Sequence, residues 1–476
     1  MADLLKTDLC IIGAGALGST LALAARARGL GVILVQRPGD IPGESATGAV
    51  QRAAFFASAA RAHAMATASA LGLGKADPKP NFRAIGERAA ALAAAAAPAA
   101  APAHLAAQGV TVLGEPASFV DSRTLKVGAS SIRAGQFVLA TGSKPLLPDL
   151  PGLHQVAFFT PDTILDNLRK LSHLLVIGGG AEALELAQAY ARLGSVVTLV
   201  PQGPLLAGFD PEPVAVLLRA LREEGVSIIE GAEVTAILPR SQGTGIALAH
   251  ADGSLATLDV SHILVAAGRV PDLDNALIAA ARLKRDRQQA GRLQLTPDGR
   301  TSSAHITVIG GAAGVFDGPH ALRQLAQALA RAGGEAPRSI DPLRLPRLLN
   351  TTPALAQIGA AGPLVPLRQG ELVLRASASE TQAARATGNL QGSAKLVVAA
   401  DGSMLGATIL GSAAGDLAAM LALALERGLG AGELADLLLP PASPAALLVD
   451  LGRQYRAQRP PSAWARRRTA WRRLLP

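Results

Sequence analysis

The stretch Asp8-Leu-Cys-Ile-Ile-Gly13-Ala-Gly15-Ala-Leu-Gly18 runs from an apolar, strand-like segment into three spaced glycines. A helical pattern carries on to Arg28, and a second apolar run covers Gly31 to Val35. Each glycine has its own task in a strand–turn–helix of this kind. Gly13 permits the tight turn out of the strand, Gly15 lets backbone approach a diphosphate, and Gly18 lets the helix pack close to the sheet. The start of the helix then presents free N–H groups and the positive end of its dipole to phosphate.

The pattern recurs at Leu174-Leu-Val-Ile-Gly178-Gly-Gly180-Ala-Glu-Ala183, followed by a helix to Leu193 and a strand at Val196 to Val200. One glycine-rich turn is weak evidence, because such turns also arise for steric reasons alone. Two in the same βαβ context are much stronger. Phe137-Val-Leu-Ala-Thr141-Gly142-Ser143-Lys-Pro145 and Ile263-Leu-Val-Ala-Ala-Gly268-Arg269-Val-Pro271 each end a strand-like run on a glycine. That is the edge at which open α/β sheets bind ligands. After Pro342, strand candidates at Glu371 to Arg375, Lys395 to Ala399 and Leu405 to Leu410 precede helical stretches at Ala413 to Arg427 and Ala445 to Arg456, an α+β order.

A chain of 476 residues needs more than one core, and 49% hydrophobic against 17% charged residues favours packed domains over disorder. The single cysteine, Cys10, excludes an intrachain disulfide and any multi-cysteine metal site; inside the first apolar run it reads as a small hydrophobe. The histidines are scattered without ligand spacing, so no metal is expected. Ser45 lacks the G-x-S-x-G turn of a hydrolase nucleophile. No secretory leader is legible, and the alanine-rich stretch 89–107 is broken by Pro98 and Pro102, so a cytoplasmic location is expected. Eight arginines from Arg453 onward carry nearly all of the formal charge of +9. With Trp464 and Trp471, the tail 457–476 suits an anionic membrane surface, peripheral to the inner face; a solvated extension after Pro460-Pro461 suits it equally. It holds no nucleic-acid motif.

The two glycine turns occur in order with Ala-Thr-Gly-Ser-x-Pro at 140–145, Leu184-Glu185-Leu-Ala-Gln188, Ala-Gly-Arg-x-Pro at 267–271 and Leu405-Gly-Ala-Thr-Ile-Leu-Gly411. Over roughly residues 6 to 455 the chain therefore resembles the pyridine nucleotide–disulfide oxidoreductase family, the class containing dihydrolipoamide dehydrogenase, glutathione reductase and mercuric reductase. The resemblance implies an α/β fold with two Rossmann-like dinucleotide-binding domains plus a C-terminal α+β dimerisation domain. It implies a discontinuous FAD-binding domain at 1–150 and 271–335, an NAD(P)-binding domain at 151–270, a dimerisation domain at 340–456 and a basic tail at 457–476. A homodimer carrying FAD and using NAD or NADP follows. Cofactor contacts fall on Gly13, Gly15, Gly18, Gln36, Thr141, Gly142, Gly178, Gly180, Glu185, Gly268, Gly310 and Gly311. Glu185 and Arg52 are candidates at the contact between flavin and nicotinamide, with a helix-surface charge as the alternative for each.

Departures from the family concentrate on its chemistry. The redox cysteine pair maps onto Glu44 or Ser45 and Ala49, none of which forms a disulfide. The proton-handling His–Glu motif corresponds to Pro441-Ala-Ser-Pro-Ala-Ala446, and the last histidine of the chain is His320. Gln36 replaces an acid that would bind ribose, yet its amide can still donate and accept. Gly311 replaces the carboxylate expected to hold the ribityl chain. Pro201 stands where an acid or arginine would read the nicotinamide nucleotide's ribose. The reading is an FAD-dependent, NAD(P)H-linked oxidoreductase without a disulfide relay, passing electrons to an outside acceptor. The alternative is a catalytically silent member that acts as a binding or assembly partner.

Overall fold

The computed structural model describes residues 4–37, 44–74, 76–97, 101–289, 291–339, 341–361 and 368–459, with backbone alone at 44–46. Two compact units divide the chain: Met1–Ala68, Gly74–Leu205 and Glu224–Ile340 form one, and Ser69–Leu73, Leu206–Glu223 and Asp341–Pro476 the other.

The first unit opens with β1 (Leu4–Ile12), α1 (Ala16–Ala27), β2 (Val32–Val35), α2 (Glu44–Ala66), α3 (Phe82–Ala96) and α4 (Pro102–Ala107). Next come β3 (Thr111–Leu113), β4 (Ala117–Asp121), β5 (Thr124–Val127), β6 (Ser130–Leu139) and β7 (Ser143–Pro145). The sheet order is β3-β2-β1-β6-β5-β4. β1 lies parallel to both β2 and β6, with Leu9 opposite Val32 and Gln136. Successive side chains of a strand face opposite sides. Leu9, Ile11, Val32 and Leu34 accordingly enter one core and Cys10, Ile12, Ile33 and Val35 another. A parallel sheet covered on both faces needs such unbroken apolar strands.

The motif repeats in β8 (His173–Ile177), α5 (Ala181–Arg192) and β9 (Val196–Val200); α6 (Pro211–Glu223) follows and groups with the second unit. Then come β10 (Val226–Ile228), β11 (Ala232–Pro239), β12 (Thr244–His250), β13 (Leu255–Val260), β14 (His262–Val265) and β15 (Arg269–Pro271). β10-β9-β8-β14 make a second, wholly parallel sheet, and β11-β12-β13 an antiparallel one. Their shared core includes Leu175, Ile177, Val234, Ile246 and Val265. α7 (Asn275–Ala280), β16 (Ile306–Val308) and α8 (Gly318–Ala332) complete the unit. β16 rejoins the first sheet beside β6, with Ile306 opposite Phe137. The chain thus leaves the first sheet, builds the second, and returns.

The second unit contains β17 (Arg347–Leu349), β18 (Leu355–Gly359), β19 (Leu372–Ser377), α9 (Gln382–Thr387), β20 (Ser393–Val398), β21 (Met404–Leu410), α10 (Ala414–Glu426) and α11 (Ala446–Gln458). Its antiparallel sheet runs β17-β18-β21-β20-β19, covered by α10 and α11 through Leu417, Leu421, Leu448 and Leu451. α6 is tied to that sheet by charge: Lys395 Nζ lies 2.6 Å from Asp210 and 3.4 Å from Glu212, and Arg375 Nε 2.8 Å from Glu212. Arg375 and Lys395 hold the Glu212 carboxyl below its ordinary range. The fold is α/β, with two Rossmann-like halves and a C-terminal α+β part. No described helix is long and apolar enough to cross a membrane.

Candidate functional site

One backbone constraint builds both glycine turns. Gly13 has φ +116°, and a Cβ there would sit 2.3 Å from the carbonyl oxygen of Ala140. Gly178 repeats this with φ +142° and 2.1 Å to the carbonyl oxygen of Ala266. These two serve the fold itself, because only glycine tolerates that dihedral and that approach together. Gly18 would put a Cβ 1.9 Å from the carbonyl oxygen of Gly13, which seats α1 directly on the turn. Gly15 and Gly180 differ in kind. Each is a helix N-cap that offers no side-chain acceptor to the first-turn N–H groups. A Cβ on Gly180 would meet nothing within 4 Å. A helix start that opens on a glycine with free space beside it, as at Gly180, has the geometry of an anion seat.

The remaining candidates line the strand ends. Thr141 Oγ1 donates to the Asp272 carbonyl at 2.7 Å, and Asp272 N–H donates to the Gly142 carbonyl at 3.1 Å. Gly142 (φ +79°) and Gly268 (φ +122°) have empty space where a Cβ would be. Gln36, half-buried, follows β2, and its N–H donates to Leu113. Gly310 N–H donates to Gln324 Oε1 at 2.8 Å, and Leu17 packs where a Gly310 side chain would stand. Gly311 is tighter still. A Cβ there would lie 2.9 Å from the Gly142 carbonyl carbon and from Ser143 N and Cβ. The backbone at 142–143 has closed on position 311, so a carboxylate returns only if that segment moves.

Glu185 sits buried in α5 at 8% exposure. Arg52, on α2, pairs with a different carboxylate of that helix: its Nη1 lies 2.9 Å from Glu182 Oε1. Arg269 Nη1 approaches the other Glu182 oxygen at 3.8 Å. Arg269 is held further by Asp162 (2.8 and 3.0 Å) and by Ser143 Oγ (2.9 Å) and carbonyl (3.1 Å). Burial alone would lower the Arg269 pKa, but Asp162 and Glu182 outweigh it and the group is raised above its ordinary value. In the sequence Glu182 and Arg269 stand only as members of the glycine motifs, and Asp162 carries no site signal. A signal existed, since Glu182 opens the helix behind a triple glycine, but its partners lie more than eighty residues away on either side.

α2 is placed against α5 by an aromatic cluster. Tyr190, fully buried, lies between Phe55 of α2 and Phe82 of α3, with ring centroids at 5.2 and 6.2 Å, and donates to the Ile164 carbonyl at 3.1 Å. The half-buried Arg192–Glu224 pair, with two contacts of 2.6 Å, closes the far end of α5. Ala49 is exposed on α2, while the side chains of Glu44 and Ser45, and residues 460–476 of the basic tail, lie outside the described residues. Cys10 is fully buried in β1, and burial pushes its thiol far above the usual range. Among the described residues, no group of three His, Cys, Asp or Glu side chains could hold a metal ion.

Paired strand–glycine turn–helix units, one in each of two sheets, define an α/β protein with two Rossmann-like halves. The chain belongs to the pyridine nucleotide-disulphide oxidoreductase family, whose model matches residues 7–333. A mercuric reductase of Streptomyces lividans is 29% identical over 445 residues, covering 90% of this chain and 92% of that protein. A dihydrolipoyl dehydrogenase of Thermus scotoductus is 30% identical over 438 residues, 88% of this chain and 91% of the relative. In fold, LpdA of Mycobacterium tuberculosis superposes with a TM-score of 0.82 at 22% identity, covering 95% of this chain and 99% of that one. Members of the family are FAD-dependent and draw on NAD(P)H.

Proposed function

We propose that this protein is an FAD-binding, NAD(P)H-linked oxidoreductase that hands electrons to an acceptor outside the chain, with no dithiol between. One observation carries the reading: the cap glycine Gly180 faces open space while the only thiol is sealed inside β1. The diphosphate of FAD fits at the start of α1, with Gly13, Gly15 and Gly18 shaping the turn and the Gln36 amide within reach of a ribose hydroxyl. Thr141, Gly142, Gly310 and Gly311 line the path toward the flavin ring. Gly178, Gly180 and Gly268 shape the nicotinamide nucleotide's seat, and Glu185 orients its ring. A flavin held there takes two electrons from a nicotinamide nucleotide and gives them to an acceptor such as a quinone, another protein or oxygen.

In the same reading, residues 1–150 with 271–335 form the FAD-binding domain and 151–270 the NAD(P)-binding domain. Residues 340–456 pair two copies as a homodimer, and 457–476 rest on an anionic membrane surface from the cytoplasmic side. A second reading, a catalytically silent partner protein, is favoured by one feature: Gly311 has no carboxylate for the ribityl chain, and the 142–143 backbone stands where a side chain there would begin. A visible spectrum of the purified protein separates the two. A flavin band near about 450 nm that fades on anaerobic NADH or NADPH supports the oxidoreductase, and a colourless protein that takes up no FAD supports the silent partner.

A further inference from the structure

Glu182 is an acid in the first turn of α5, two residues beyond the cap glycine Gly180. Its carboxylate is held by Arg52 at 2.9 Å and Arg269 at 3.8 Å, with the arginine side chains 24% and 17% exposed. The three groups come from α2, α5 and β15. Arg52 is steadied by the Pro161 carbonyl (3.4 Å), and Arg269 by Asp162 and Ser143. The geometry is therefore fixed from several sides.

A helix start and two guanidinium forks are what a phosphate group seeks: N–H donors, a positive dipole end and planar cations. In this chain both guanidinium groups are engaged by a carboxylate of the chain itself, which also stands in the first turn of that helix. A diphosphate entering over Gly180 meets that carboxylate as a like charge, which opposes binding unless the carboxylate leaves. If it leaves, Arg52 becomes free to turn to the phosphates, while Arg269 stays held by Asp162 and Ser143 and adds its charge from there.

We propose that Glu182 is an internal anion competing with the nicotinamide dinucleotide for the second glycine turn, so that it sets the affinity of that site. This rests on the reading of Gly178–Gly180 as a nucleotide seat. Binding exchanges one anion for another: Arg52 releases Glu182 and takes the phosphates, and Arg269, still held by Asp162 and Ser143, trades its longer contact with Glu182 for the field of the phosphates. No bond is made or broken.

The test measures NADH and NADPH binding by calorimetry on the full chain and on Glu182→Gln, Glu182→Ser and Asp162→Asn. Serine is at home at a helix start, so at least one variant at position 182 should keep its fold. Two partly exposed ion pairs are at stake, so the position-182 variants should bind about tenfold more tightly. Asp162→Asn removes the same charge from the same arginine but leaves Glu182 in place; its affinity should stay within about twofold of the parent or fall. Unchanged affinity in a folded position-182 variant, with binding intact in the parent, overturns the competition and leaves the nucleotide seat standing. Absence of binding in the parent and in every folded variant overturns both.

Discussion

Gly180→Ala separates a glycine kept for a ligand from one kept for the fold. Gly180 has φ −86°, which alanine adopts freely, and its Cβ would enter empty space. Alanine is a poorer N-cap than glycine by roughly 0.5 kcal/mol, and it gains about 0.4–1 kcal/mol by restricting the unfolded chain. The two nearly cancel, so Tm should stay within about 2 °C of the parent. The diphosphate has no such latitude. A methyl group over the turn holds it away from the helix N–H groups, and each charge-assisted hydrogen bond lost costs about 1.5–3 kcal/mol. Affinity for NADH or NADPH should fall at least about tenfold, read by calorimetry in the native chain and in Glu182→Gln. Unchanged affinity would refute the assignment of the turn as a nucleotide seat. A fall in Tm beyond about 6 °C would refute the claim that this glycine is spared by the fold.

Gly178→Ala, only two residues earlier, should do the reverse. At φ +142° and with 2.1 Å to the Ala266 carbonyl oxygen, it should lose more than about 4 kcal/mol, seen as aggregation or loss of the thermal transition. Gly311→Asp should not rebuild a ribityl anchor. Its Cβ would force the 142–143 backbone aside, costing about 1–3 kcal/mol, and thermal unfolding with and without added FAD should show lower stability and no gain in FAD affinity. Cys10 should resist thiol reagents in the native state at pH 8 and react only on unfolding, because its thiol is buried and its pKa raised. Burial lowers the pKa of His173 on β8 and His262 on β14. The unfolded chain therefore binds protons first as pH falls through about 6.5, and stability present above that value is lost as pH falls further below it. His173→Gln should flatten that loss in Tm measured from pH 8 to 5.

Short-range geometry was legible in the sequence and long-range closure was not. The glycine turns could be read because strand, turn and helix lie within a dozen residues and each glycine answers a local demand. The strands and helices after Pro342 were legible for the same reason: β19, β20, β21, α10 and α11 lie within a few residues of the runs marked by their apolar pattern. The Arg52–Glu182–Arg269 network joins three distant segments, and no pattern in any of them names the others. The grouping of α6 with the second unit depends on Asp210 and Glu212 meeting Lys395 and Arg375, again across a long separation. Gly311 carried half of its meaning in the sequence. The missing carboxylate could be seen there, but the backbone that has closed on the gap could not.

Counting electrons tests the central claim most directly. A flavin and nothing else in the chain to reduce should be bleached near about 450 nm by one equivalent of NADH or NADPH per flavin, under anaerobic titration of the purified protein. A disulfide relay would consume a second equivalent before the titration ended. One equivalent to full bleaching, followed by return of the band when a quinone or air is admitted, is the result the account predicts. Two equivalents, or a flavin band that neither nucleotide diminishes, would contradict it.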